Sequence, residues 1–126
     1  MDEIKNIIDE LGIDSLENNI KIAGVAVVSD SGNLIFQTSN WDISNQTNVI
    51  LEVIRGASSF VLSDFSYTVT QSATEGFIGI NDSGMGYILI VPFQGGVLVA
   101  YAMPQADPPR ALSFLKSYAT RLNGKV

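Results

Sequence analysis

The stretch that decides the fold reads Tyr87-Ile88-Leu89-Ile90-Val91-Pro92-Phe93, then Gln94-Gly95-Gly96, then Val97-Leu98-Val99-Ala100-Tyr101. Two apolar runs rich in β-formers, joined by a short glycine turn, predict an antiparallel hairpin. Toward the N-terminus, Phe65–Ser72 and Gly76–Asn81 predict two more strands, with Asp82-Ser83-Gly84-Met85-Gly86 as the turn into the hairpin. Further back, Ile20–Val28 is nearly all apolar and reads as a central strand buried on both faces. Asp30-Ser31-Gly32-Asn33 is its turn, and Leu34–Thr38 its partner.

Three segments change period. Ile4, Ile7, Ile8 and Leu11 form one helical stripe, with Gly12 as its expected stop. After a polar loop over 39–46 that contains Trp41, Val49, Ile50, Val53 and Ile54 repeat at helical spacing. Ser44 or Asn45 is the expected cap of that helix, and Gly56 weakens or ends it. Asp107 followed by Pro108 signals a third helix start, and Ala111, Leu115, Tyr118, Ala119 and Leu122 form its apolar stripe up to Gly124. Helix, two strands, helix, four strands, helix is an α+β order. It predicts a three-layer α/β/α sandwich around an antiparallel sheet of about six strands. The N- and C-terminal helices are expected on one face and the middle helix on the other, with 1–126 forming a single domain.

Composition narrows the function. The 126 residues carry a net charge of −6 and contain neither cysteine nor histidine. Disulfides, thiolate nucleophiles, Ser-His catalysis and imidazole or thiolate metal sites are therefore excluded. Asp2/Glu3 and Asp9/Glu10 sit on a solvated helix face, and Asp30, Asp64, Asp82 and Asp107 fall at turns or caps. No enzyme, cofactor or metal is expected, and a binding module leads. An acidic total argues against nucleic acid and anionic lipid. The longest apolar runs are about seven residues, whereas a membrane helix needs roughly 20. No secretory signal is seen, so a soluble, cytoplasmic protein is expected. Six of the thirteen acids lie at or before Glu17, and four of the seven bases at or after Arg110. That asymmetry predicts that the terminal helices lie side by side. The single tryptophan, Trp41, reads as a core plug or an interface anchor.

Over roughly residues 20–126 the chain resembles the profilin family. The resemblance rests on the strand Gly24–Val28, the Ser31-Gly32-Asn33 turn, Leu34–Thr38, the helix Ile43–Arg55, the hairpin of 87–101 and the ending Phe114-Leu115-Lys116-Ser117-Tyr118. It implies a cytoskeletal protein that binds an actin monomer and regulates polymerisation by occupying one end of it. Carried over by position, the actin face comprises Tyr67, Val69, Gln71, Asn81, Tyr87 and Leu89 on the strands, with Asp107 and Arg110 at the last helix. Of the family's polyproline groove only Tyr118 has a counterpart, because the first helix offers Ile and Leu where Trp and Tyr are usual. Gln71, Asn81 and Gln94 stand where family members carry basic residues, so phosphoinositide binding is not carried over either. Such a divergence fits an archaeal member and a monomer. Gly76–Leu122 also resembles the Roadblock dynein-light-chain family. That likeness implies a homodimeric scaffold for small GTPases, with five strands and a longer middle helix.

Overall fold

A computed structural model describes residues 2–38, 41–73 and 76–126. The elements run α1 (Asp2–Glu17), β1 (Ile22–Ser29), β2 (Leu34–Gln37), α2 (Thr47–Ile54), β3 (Ser59–Leu62), β4 (Phe65–Ala73), β5 (Gly76–Asn81), β6 (Tyr87–Phe93), β7 (Gly96–Ala102) and α3 (Pro108–Leu122). All the strands form one antiparallel sheet in the order β2-β1-β7-β6-β5-β4-β3. The sheet has seven strands, not about six. The added strand is β3, which follows α2 directly.

Two apolar cores lie on opposite faces of this sheet. Val25, Val27, Ile78, Leu89, Val91, Leu98 and Ala100 face α1 and α3. Ala26, Val28, Ile88, Ile90, Val97 and Val99 face the other way and meet Ile43, Ile50 and Val53 at α2. Alternate strand residues supply the two faces, which is why β1, β6 and β7 read as unbroken apolar runs. The predicted layering therefore holds, with the terminal helices together and the middle helix opposite.

The charged ends meet as their asymmetry predicts. Arg121 Nη1 lies 2.7 Å from Glu10 Oε2, and Lys125 Nζ 2.6 Å from Glu3 Oε2. Both pairs are exposed, so they align α1 with α3 more than they stabilise the fold. The buried Leu115, Ala119 and Leu122 against Ile4, Ile8 and Leu11 carry that contact.

Two helix boundaries differ from expectation. α1 passes through Gly12 to Glu17, because Ser15 is buried and its Oγ accepts from Ile22 N at 3.3 Å. α2 starts at Thr47, not near Ile43, and neither Ser44 nor Asn45 caps it. Gln46 is its N-cap and makes no side-chain cap bond. Instead Gln46 Oε1 accepts from Ser63 N at 2.8 Å, and Thr47 Oγ1 donates to Gly32 O at 2.7 Å. The start of α2 is thus tied to two turns. Ser39 and Asn40, within the expected loop, lie outside the described residues.

Candidate functional site

α3 crosses β6 and reaches onto β5 and β7, and α1 lies against α3 and β1. Beyond α3 the same sheet face continues over β4 and β3 without a helical cover. A straight row crosses it: Ser59 pairs with Thr68, Thr68 with Ile80, and Ile80 with Tyr87. Paired residues on neighbouring strands share a face, so this row continues the face that holds Leu89 and Ile78. Ser59, Thr68 and Ile80 are exposed, and Tyr87 is half-buried at the edge of α3. The next row adds Val61 opposite Ser66. Val61 is 52% exposed and Ile80 37%. Asp82 adjoins both rows: its N–H donates to Ser66 O at 3.0 Å, and its carboxylate accepts from Thr68 Oγ1 at 2.8 Å. A sheet face of open apolar residues and hydroxyls with a carboxylate at its edge is a candidate docking surface.

The residues expected from the family divide between the two faces. Tyr87 belongs to the open row. Leu89 lies on the same face but is fully enclosed under α3. Tyr67, Val69 and Asn81 point to the α2 side, since Tyr67 pairs with Asn81 and packs with Phe60 and Leu62. Tyr67 is 3% exposed and stacks on Phe60 with ring centroids 5.2 Å apart. Burial raises its pKa, against a hydrogen bond with Asn81 that lowers it. Asn81 Oδ1 accepts from Ser83 N at 2.8 Å and Met85 N at 3.1 Å, which builds the β5–β6 turn. Gln71 pairs through its backbone with Ile78, across a register shift after Val69, and its side chain lies outside what is described.

Asp107 and Arg110 stand at the start of α3 and are exposed. Asp107 is the N-cap and accepts from Arg110 N at 3.4 Å. Arg110 Nη2 donates to Asn18 O at 2.7 Å, tying this helix end to the end of α1. Tyr118 is buried between α1 and α3, with its hydroxyl on Asp14 and its ring beside Phe114 and Arg121. Burial first, then the Asp14 carboxylate, push its pKa up to about 12. An enclosed tyrosine of this kind holds the two helices together and offers no open ring to a ligand. Sequence reasoning missed Ser59, Val61, Ser66, Thr68 and Ile80, whose exposure depends on where α3 ends across the sheet.

Among the described residues no group of three or more acids is placed to hold a metal, and no helix is long and apolar enough to cross a membrane. No family model matches the chain. Curated relatives do: Loki profilin-2 of Lokiarchaeum sp. (strain GC14_75) is 31% identical, covering 96% of each chain. Loki profilin-1 from the same organism is 32% identical over 99% of this chain and 98% of its own. The chain belongs to the profilin family. Its fold matches the crystal structure of LokiProfilin1 in a complex with rabbit actin, with a TM-score of 0.89 and 28% identity over 100% of this profilin and 98% of that chain. These relatives are archaeal, in line with the divergent pattern. The seven-stranded sheet and the eight-residue α2 depart from the Roadblock plan, and that reading is set aside.

Proposed function

We propose that this profilin binds an actin monomer through the open face of β3–β6 beside the start of α3, and so regulates polymerisation. The observation that carries the reading is the uncharged row Ser59–Thr68–Ile80–Tyr87, regular sheet left uncovered where α3 stops. The complex of a 28%-identical relative with rabbit actin supports the choice of partner. Val61, Thr68, Ile80 and Tyr87 form the face, and Asp107 and Arg110 border it. The protein acts by occupying a surface, not by chemistry, in a cytoplasmic, cytoskeletal setting. The row's own side chains are uncharged, and the adjoining Asp82 carboxylate is engaged by Thr68 Oγ1, so contact is mainly apolar and affinity should depend only weakly on salt.

The test is spontaneous assembly of pyrene-labelled rabbit actin with increasing amounts of the protein, alongside calorimetric titration of monomeric actin. The parent should delay assembly and titrate to one site. Ile80→Lys puts a charge at the centre of the face and should weaken binding about tenfold or more. Its melting temperature should fall by a few degrees at most, because Ile80 is 37% exposed and the lysine stem can cover the same surface. A parent protein that neither delays assembly nor gives binding heat would refute the reading, as would an Ile80→Lys variant that binds as well as the parent.

A further inference from the structure

The opposite face of the sheet holds a second feature that actin docking leaves unused. The α2 side is filled by apolar packing along most of its length but opens at one end into a cavity of about 300 Å³. Trp41, Phe65, Tyr67, Tyr101 and Met85 line it over Gly24. The walls are set in place by packing and hydrogen bonds. A Cβ on Gly24 would lie 3.0 Å from Trp41 Cβ and Cγ, so the indole rests directly against β1 because that residue is glycine. Tyr67 is held by its stack on Phe60, and Met85 by the two backbone bonds that Asn81 makes around it. The Tyr101 hydroxyl donates to Met85 O.

Those details select a ligand. With its proton on a carbonyl, the Tyr101 oxygen has only lone pairs left for the cavity, so it favours an incoming donor. Four aromatic rings converge on one space, and ring faces attract cations, tryptophan most strongly. The two charged neighbours of lining residues in the chain are both acids: Asp42 follows Trp41, and Asp64 stands between Ser63 and Phe65. Hydrogen bonds from Ser44 hold the Asp42 carboxyl below its ordinary pKa. Among the described residues no lysine or arginine lines the cavity, and none adjoins a lining residue in sequence. The volume is at the small end for ligand sites and has room for one long side chain or a small amine.

We infer that this cavity is a binding site for a single cationic group with an apolar stem, of the guanidinium or alkylammonium class. An arginine or lysine side chain of a bound segment and a free small amine share that chemistry. The site lies on the face away from the proposed actin surface, so it leaves actin free to bind.

Trp41 is the single tryptophan of the chain and lies in the cavity wall, so its fluorescence reports occupancy directly. The protein is titrated with Nα-acetyl-arginine methylamide, with the citrulline analogue as the neutral isostere, and amide shifts are followed by NMR in parallel. The arginine probe should give a saturable Trp41 change and shift the amides of Gly24, Phe65 and Met85. The citrulline probe should bind about tenfold more weakly. Asp64→Asn, at an exposed turn that tolerates asparagine, should weaken the arginine probe and leave the citrulline probe unchanged. Ala23→Leu, which fills the cavity, should abolish both. A short arginine-bearing peptide binding more tightly than the free probe assigns the site to a partner segment, and equal binding assigns it to small amines. Equal response to arginine and citrulline, or no saturable response in either readout, would overturn the inference. Pyrene-actin assembly measured with saturating probe should be unchanged, which keeps this result separate from the actin reading.

Discussion

Asn81 is where sequence position and structure give opposite roles, and Asn81→Ala separates them. By position it belongs to the actin face. In the structure it is 3% exposed and turned to the α2 side. Its Oδ1 accepts from two backbone N–H groups of the β5–β6 turn, Ser83 and Met85. Each such bond contributes about 1 kcal/mol net. The side chain also shares a hydrogen bond with the buried Tyr67, so three bonds are lost; water at the exposed turn recovers part, and the substitution should cost about 2 kcal/mol in all. Unfolding entropy of roughly 2.1 cal/mol/K per residue gives a chain of this length about 0.26 kcal/mol/K, so the melting temperature should fall by about 8 °C. Differential scanning calorimetry with urea unfolding measures the loss, and titration of monomeric rabbit actin at 15 °C, where the variant is still folded, measures function. The expected outcome is a clear loss of stability with actin affinity within about twofold of the parent. An Asn81→Ala protein that melts with the parent but binds actin tenfold more weakly would show that Asn81 is a contact residue, and the assignment of faces would be wrong. Asn81→Asp keeps the acceptors and should recover most of the stability.

Two further changes test the packing and the helix pair. Gly79→Ala would place a Cβ 2.8 Å from Phe60 Cζ and 2.9 Å from Cε1, in a ring already stacked on Tyr67; it should cost about 1–3 kcal/mol by urea unfolding. Gly12→Ala, with nothing within 4 Å of the new methyl, should stabilise α1 by about 0.5–1 kcal/mol in the same assay. Tyr118 has its pKa raised to about 12 in the fold from 10.0, so the unfolded chain loses this proton first as pH rises. The associated stability is fully present below pH 10 and should be lost between pH 10 and 12, by about 2 kcal/mol. Urea midpoints should therefore fall more steeply over that range for the parent than for Tyr118→Phe, and parallel curves would show that the hydroxyl is not held as described.

The parts of the fold that the sequence displays openly are those whose signals are local. The 87–101 hairpin carries its glycine turn between two apolar runs, and α3 announces itself by Asp107 and Pro108. β3 carries no such signal. It has four residues, and its turn into β4 is Ser63-Asp64, both at positive φ (52° and 70°). That is the backbone of a two-residue hairpin turn which usually advertises itself by glycine or asparagine. The candidate face was harder still. Phe77 and Ile78 are adjacent in β5 and both buried, so alternation along that strand does not say which side lies open. On β4 the register shift between Val69 and Gln71 breaks the parity that would have linked those two positions. Tyr67, Val69 and Asn81 have the opposite parity from the open row. Thr68 and Ile80, one residue away from Tyr67 and Asn81, carry it instead.

The charge distribution and the open face explain each other. Much of the formal −6 originates in α1, where Glu10 pairs with Arg121 of α3 and Glu3 with Lys125 just beyond it. Those pairs occupy the outer helical layer, away from the row Ser59–Thr68–Ile80–Tyr87, whose own side chains are uncharged and whose neighbouring carboxylate, Asp82, is bonded to Thr68 Oγ1. A partner meeting that row finds hydroxyls and apolar side chains on a rigid sheet. Affinity must then come from shape and from desolvating Val61 and Ile80, and charge contributes little to it. A family member whose strands carried basic residues would be steered by long-range attraction and would lose affinity as salt rose. Here the association rate should be nearly independent of ionic strength. The dissociation rate should be the quantity that substitutions at Val61 and Ile80 change. Divergence at the binding strands therefore need not mean loss of the partner, because the backbone row that presents the face is intact and only the means of attraction differs.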